Sequence, residues 1–226
     1  MVNKLLALFS SNDFSIAENE FKKILNENTK ILCFSGADYN WQINNPKELQ
    51  QGGRYYKEQY EPFKDFGVTE DHFYIVHPKD DKETIKSRFT YCDVIFLAGG
   101  HMCVLEQLLN DFNLWNIIKI SDKNVIGISA GALIQLDKYN ITPYIDVDYD
   151  YYDTCTGLGL LKDVRLIVHY RHDYNKHREI LQHISAETAE EMSETNKDIM
   201  IVTLSDTEGI IVDEIEGKKT VLFKGE

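Results

Sequence analysis

Short apolar runs alternate with longer amphipathic stretches along this chain. Five runs of about five residues, at 5–9, 30–34, 72–76, 93–97 and 124–128, are apolar on both sides and carry β-branched or aromatic residues. A strand buried on both faces has that pattern, whereas a strand with one wet face alternates. Between the runs lie stretches with helical spacing, at 15–26, 47–66, 82–89 and 103–116. In the first, Ile16, Phe21, Ile24 and Leu25 fall roughly on one face, and in the last Val104, Leu105, Leu108, Leu109 and Phe112 do the same. Such alternation predicts β-α-β units with right-handed crossovers, hence an α/β fold whose mostly parallel sheet has helices on both faces. Further along, 165–170 reads as another strand, 174–191 as a helix, and 199–204, 209–215 and 219–223 as closing strands. Glu216-Gly217-Lys218 reads as a hairpin turn between the last two, making the C-terminal strands partly antiparallel. No repeat, linker or charged tail breaks the pattern, so residues 1–226 read as a single domain.

Composition narrows the partners. The 226 residues suffice for one large core, and 24 Lys+Arg against 37 Asp+Glu leave a net charge of −13. That balance excludes a general affinity for nucleic acid or an anionic membrane, which both need a basic face. Cys33, Cys92, Cys103 and Cys155 are widely spaced, without a C-x-x-C pair or zinc-type Cys/His spacing, and read as reduced thiols. The apolar start at 5–9 is too short for a secretory h-region, and no stretch approaches the ~20 apolar residues of a membrane span. A cytoplasmic location is therefore expected.

In parallel sheets chemistry gathers at the carboxyl edge, and three strand ends here are unusual. Gly127-Ile-Ser129-Ala-Gly131 is a G-x-S-x-G directly after a strand and before a helix, the setting of a nucleophile elbow. Its small residues permit a sharp turn that leaves the Ser129 hydroxyl clear and points the Ala130 N–H at a developing oxyanion. Gly99-Gly100, after the preceding strand, offers close backbone approach and a second oxyanion donor; G-x-G-x-x-G is absent, which excludes a dinucleotide fingerprint. His169 ends the strand at 165–170 and suits the general base that Ser129 needs. His172, His177 and His183 read as solvated residues. Between Ser129 and His169 lie Asp146, Asp148, Asp150 and Asp153, one of which is expected to orient the base. Their spacing imitates half a calcium loop, but Tyr151 and Gly157 occupy the places of its glycine and glutamate.

Gly-Gly after one strand, G-x-S-A-G after the next, Gly157-Leu-Gly-Leu-Leu161 and a strand-end His-Tyr together resemble the serine peptidase family of peptidase E and cyanophycinase. The resemblance runs from about Asp93 to Tyr170 and implies a flavodoxin-like, class I glutamine amidotransferase-like fold. It implies Ser129 as nucleophile, His169 as base, and Gly99, Gly100 and Ala130 as the oxyanion hole. Its acidic member falls nearest Asp148, with Asp146 as the alternative, and its aspartate-binding arginine nearest Arg178, with Arg171 as the fallback. Peptidase E has Gly-Gly-Asn-Thr where this chain has Gly99-Gly100-His101-Met102, as in a less characterised Gly-Gly-His branch. The implied activity is a serine-type dipeptidase acting on Asp-X peptides, with no cofactor and no metal. A small peptide is the expected partner, and self-association as a homodimer stays open.

Other readings fit less well. A glutamine amidotransferase uses Cys at the elbow, where this chain has Ser129. An α/β-hydrolase esterase usually separates its Ser and His by more than the 40 residues (169 − 129) found here. A metal hydrolase on His169, His172, Asp173 and His177 lacks identifiable further ligands. A non-catalytic binding protein of the same fold is the main alternative.

Overall fold

The computed structural model describes residues 4–141, 153–171, 174–215 and 218–224. Its strands are β1 (Lys4–Phe9), β2 (Ile31–Gly36), β3 (Phe73–Ile75), β4 (Val94–Gly100), β5 (Asn124–Ile128), β6 (Lys138–Ile141), β7 (Asp153–Thr156), β8 (Val164–Ile167), β9 (Met200–Thr203), β10 (Gly209–Ile215) and β11 (Lys218–Lys224). The helices are α1 (Glu18–Phe21), α2 (Tyr39–Asn44), α3 (Arg54–Lys64), α4 (Lys82–Tyr91), α5 (Met102–Asp111), α6 (Trp115–Ile120), α7 (Ala130–Leu133) and α8 (Asn175–Thr195). The main sheet has the order β11-β10-β1-β5-β4-β2-β3. From β1 to β3 every pairing is parallel, while β10 runs antiparallel to β1 and to β11. The fold is the expected mostly parallel α/β sheet with antiparallel strands at its C-terminal side. Residues 216–217 of the expected hairpin lie outside the described residues.

The two-sided apolar runs do what their pattern requires. In β1, Leu6 and Leu8 enter one core with Leu105 and Leu108 of α5 and Leu133 of α7. Leu5, Ala7 and Phe9 enter the other, with Tyr56, Tyr60 and Phe63 of α3. That second core is largely aromatic: the ring of Phe63 meets that of Phe96 at 4.9 Å and Phe14 meets Phe9 at 5.2 Å. Parallel pairing in this register brings the carboxyl ends of β1, β4 and β5 to one edge, where the candidate residues sit.

Three expected helices are broken, each by a local competitor. The stretch at 15–26 yields a 3₁₀ turn and the single-turn α1. Downstream the Thr29 hydroxyl donates to the Ile24 carbonyl and accepts from the Asn26 N–H, drawing the chain out of the helix. In the stretch at 47–66, Gly52 has φ +94°, and α3 begins only at Arg54, where Glu48 accepts from the Arg54 N–H at 2.9 Å. The stretch at 103–116 divides into α5 and α6 at Asn113, whose φ is +58°.

Outside the main sheet, β8 and β9 pair in parallel and β6 and β7 antiparallel. Arg165 of β8 has its side chain only 3% exposed, and its guanidinium lies 2.5 Å from Glu191 of α8 and 3.7 Å from Asp137. Burial pushes the Glu191 carboxyl up, but hydrogen bonds from Lys138 and Arg165 outweigh it and hold it below the usual carboxylate range. A carboxyl lowered by folding stabilises the fold above its unfolded pKa and loses that effect as the pH falls. Thermal midpoints should therefore drop as the pH goes through and below about 4, the ordinary glutamate range. Glu191→Gln should lower the midpoint at pH 7 and remove that part of the acid sensitivity, read by melting the two proteins across the pH range.

Candidate active site

Ser129 follows β5, the strand lying between β1 and β4. Its backbone has φ 51° and ψ −116°, a region that non-glycine residues rarely occupy. Backbone hydrogen bonds on both sides hold it there. Its N–H extends the parallel ladder to the Phe9 carbonyl at 2.8 Å, and its carbonyl accepts from the Ala132 N–H at 2.9 Å as α7 begins. The turn closes only with glycine around it: a Cβ on Gly131 would stand 1.8 Å from the Leu97 carbonyl oxygen, and one on Gly127 would stand 2.1 Å from the Gly131 oxygen. The residue stays partly buried at the sheet edge. Gly99 lies against it, a Cβ there falling 3.4 Å from the Ser129 Cβ. The Ala130 N–H opens α7, among the donors that a helix leaves unused. The His101 N–H is taken by the Gly36 carbonyl at 2.7 Å.

His169 lies two residues beyond β8, with φ 55°. Its Nε2 is 3.0 Å from Ser129 Oγ and its Nδ1 is 2.5 Å from Asp206 Oδ1. An imidazole whose Nδ1–H donates to a carboxylate leaves Nε2 free to accept the serine proton. The His169 and Asp206 side chains are 41% and 47% exposed, so both are open to solvent. Asp206 arrives through β9, which pairs with β8 and continues past it: the Leu204 N–H donates to Ile167 and the Tyr170 N–H to Leu204, each at 2.8 Å. The turn that carries Asp206 is closed by Glu208, whose carboxylate accepts from the Ser205 N–H at 2.6 Å.

The structure brings Ser129, His169, Gly99 and Ala130 to one edge, with Gly100 beside Gly36 at the end of β4. Asp148 and Asp146, expected as the acid, lie outside the described residues; among the described residues the carboxylate that meets His169 Nδ1 is Asp206, downstream of both Ser129 and His169. A rule already in use would have found it, since Ser205-Asp206 ends the strand expected at 199–204. Arg171 is 70% exposed, with Nη2 3.9 Å from Asp206 Oδ2, and stands at the rim of the site. Arg178 is exposed on the first turn of α8 and donates to Asn175 Oδ1. His177, read as solvated, is buried instead: Nδ1 accepts the Arg171 N–H at 2.7 Å and its ring stacks on Tyr170, bracing the segment after His169. His172 and Asp173 lie outside the described residues.

A doubly wound α/β sheet with a strained serine at a strand–helix junction, and an imidazole in reach of it, defines the serine hydrolase class. The sequence profile of peptidase family S51 matches residues 9–219, and the chain belongs to that family of serine peptidases. Its fold is also that of a crystal structure of a candidate peptidase E protein from Listeria monocytogenes EGD-e, with a TM-score of 0.63, 21% sequence identity, and 98% of each chain covered. No curated protein sequence matches the chain. Among the described residues no helix is long and apolar enough to cross a membrane.

The elbow is intolerant of added volume. Gly131→Ala forces a methyl group into the Leu97 carbonyl, so it should lower stability by about 3 kcal/mol or more. Loss of labelling by a serine-directed probe should accompany the lower melting temperature. A variant that melts and labels like the wild type would show that the turn can open.

Proposed function

We propose that this peptidase hydrolyses short peptides with an acidic N-terminal residue, using Ser129 as nucleophile, His169 as general base and Asp206 as its orienter. The observation that carries the reading is the continuous relay from Ser129 Oγ to His169 Nε2, at 3.0 Å, and from Nδ1 to Asp206, at 2.5 Å, on a serine held in a strained turn. In this mechanism His169 takes the Ser129 proton as Oγ attacks the scissile carbonyl. N–H groups of Gly99, Gly100 and Ala130 receive the oxyanion. His169 then protonates the leaving amine, an acyl-enzyme forms, and water activated by His169 releases the acid. Side chains and backbone supply every group this route needs. The four free thiols support a reducing, cytoplasmic setting.

The acidic preference rests on the resemblance to peptidase E and on charge. A chain of net charge −13 repels an anionic substrate at long range, so choosing one takes a cation at the site. Arg171 is the first choice because its guanidinium stands beside Asp206, and a guanidinium grips a carboxylate with two parallel hydrogen bonds. Arg178, the nearest match to the family's arginine, comes second.

Ser129→Ala and His169→Ala should each lower kcat by about 10⁶-fold with the fold intact, and Asp206→Asn by about 10⁴-fold. Asp146→Asn and Asp148→Asn should stay near wild type. Unchanged turnover in Ser129→Ala would overturn the reading, and full activity in Asp206→Asn would remove the orienter. For specificity, Asp-Leu should be cleaved far faster than Ala-Leu, and Arg171→Ala should raise KM for Asp-Leu alone. Equal hydrolysis of both dipeptides by the wild type would defeat the acidic preference and leave the serine mechanism standing.

A further inference from the structure

Ser10, the residue after β1, is fully buried, a polar side chain at the end of an apolar strand. Its hydroxyl accepts the backbone N–H of His169 at 2.6 Å. The same oxygen lies 3.4 Å from His169 Nδ1 and 3.5 Å from Asp206 Oδ1. The Ser10 N–H donates to the Glu208 carbonyl at 3.4 Å, on the turn that carries Asp206, and the carbonyl of its neighbour Phe9 holds the Ser129 N–H at 2.8 Å. Two consecutive residues thus touch each of the three segments that deliver the relay.

His169 gives this contact its consequence. Past β8 it is the Tyr170 N–H, not that of His169, that donates to Leu204, so the His169 N–H takes its acceptor from another part of the chain, and the residue itself has φ 55°. A serine oxygen on a one-carbon stem fits between β1 and the turn of the base. We infer that Ser10 is a positioning residue for the reaction: by accepting the His169 N–H, it holds the left-handed backbone from which the imidazole spans Ser129 and Asp206. With alanine there the N–H loses its acceptor, the backbone relaxes and the imidazole swings out of line. This inference rests on the proposed roles of Ser129 and His169.

The test follows covalent labelling of Ser129 by a fluorophosphonate, which requires no knowledge of the peptide substrate. Ser10→Ala should lower the maximal labelling rate by about 10- to 100-fold, the effect of a small misplacement of a reacting group. The half-saturating probe concentration should not change, and circular dichroism should report an intact fold. In a His169→Ala background the same substitution should add less than about twofold, because Ser10 acts through His169. Ser10→Cys keeps the one-carbon stem, with a somewhat larger atom that is a weak acceptor; it should also label slowly, and it decides the matter if the alanine variant does not fold. Wild-type labelling rates in either folded variant would overturn the inference. So would a loss confined to probe affinity, or one that multiplies fully with the loss from His169→Ala. A wild-type chain that takes no label at Ser129 overturns the nucleophile assignment itself, and this inference with it, an outcome distinct from the others.

Discussion

The backbone of Ser129 is held where few side-chain-bearing residues go, and the carboxyl edge is organised around what holds it. A conformation of φ 51° and ψ −116° costs on the order of 1–3 kcal/mol and persists only when the surroundings determine it. The Phe9 carbonyl fixes the N–H, the first turn of α7 uses the carbonyl, and Gly127 and Gly131 leave room for the crossing. These conditions require β5 to lie between β1 and β4, both parallel to it. One neighbour then supplies Phe9 and Ser10 at its end, and the other supplies Gly99 and Gly100. The parallel register, Phe9 opposite Ile128 and Leu97 opposite Gly127, keeps these three strand ends level.

His169 and Asp206 reach this edge as a unit from outside the main sheet. Parallel pairing of β8 with β9, in the register Ile167↔Thr203, places the residues after each strand side by side. The buried guanidinium of Arg165 ties β8 to α8 through Glu191, and His177 on the same helix grips the chain at Arg171. A half-exposed carboxylate–imidazole contact contributes little to stability. What it supplies is orientation, since a proton held on Nδ1 leaves Nε2 able to accept from serine. With a net charge of −13 the chain repels anions at long range, so binding of any anionic group at this edge depends on cations close by, such as Arg171.

The main sheet was legible because its information is local. A strand buried on both faces must be apolar on both, and that shows in each of the runs that became β1 to β5. The G-x-S-x-G turn was equally legible, since the steric demands of the elbow fall on residues within two positions of Ser129. Helix lengths were less so: Thr29, Gly52 and Asn113 interrupt apolar periodicities through side-chain hydrogen bonds or left-handed backbone that a periodicity does not register.

What only the tertiary structure decided is which distant groups meet. Asp206 sits 37 residues after His169 and 77 after Ser129 (206 − 129), and it joins them only because β9 pairs with β8 rather than with the main sheet. Ser10, at the other end of the chain, meets His169 across a separation of 159 residues. Neither residue lies in a motif, because a hydrogen bond between segments constrains their positions in space and leaves the intervening sequence free. His177, read as solvated, is buried for a related reason: its ring stacks on Tyr170 and its Nδ1 accepts the Arg171 N–H, contacts that no local pattern announces. The chain by itself determined the sheet and the strained serine, through steric and burial rules acting over a few residues. Strand pairing then determined the groups that face that serine.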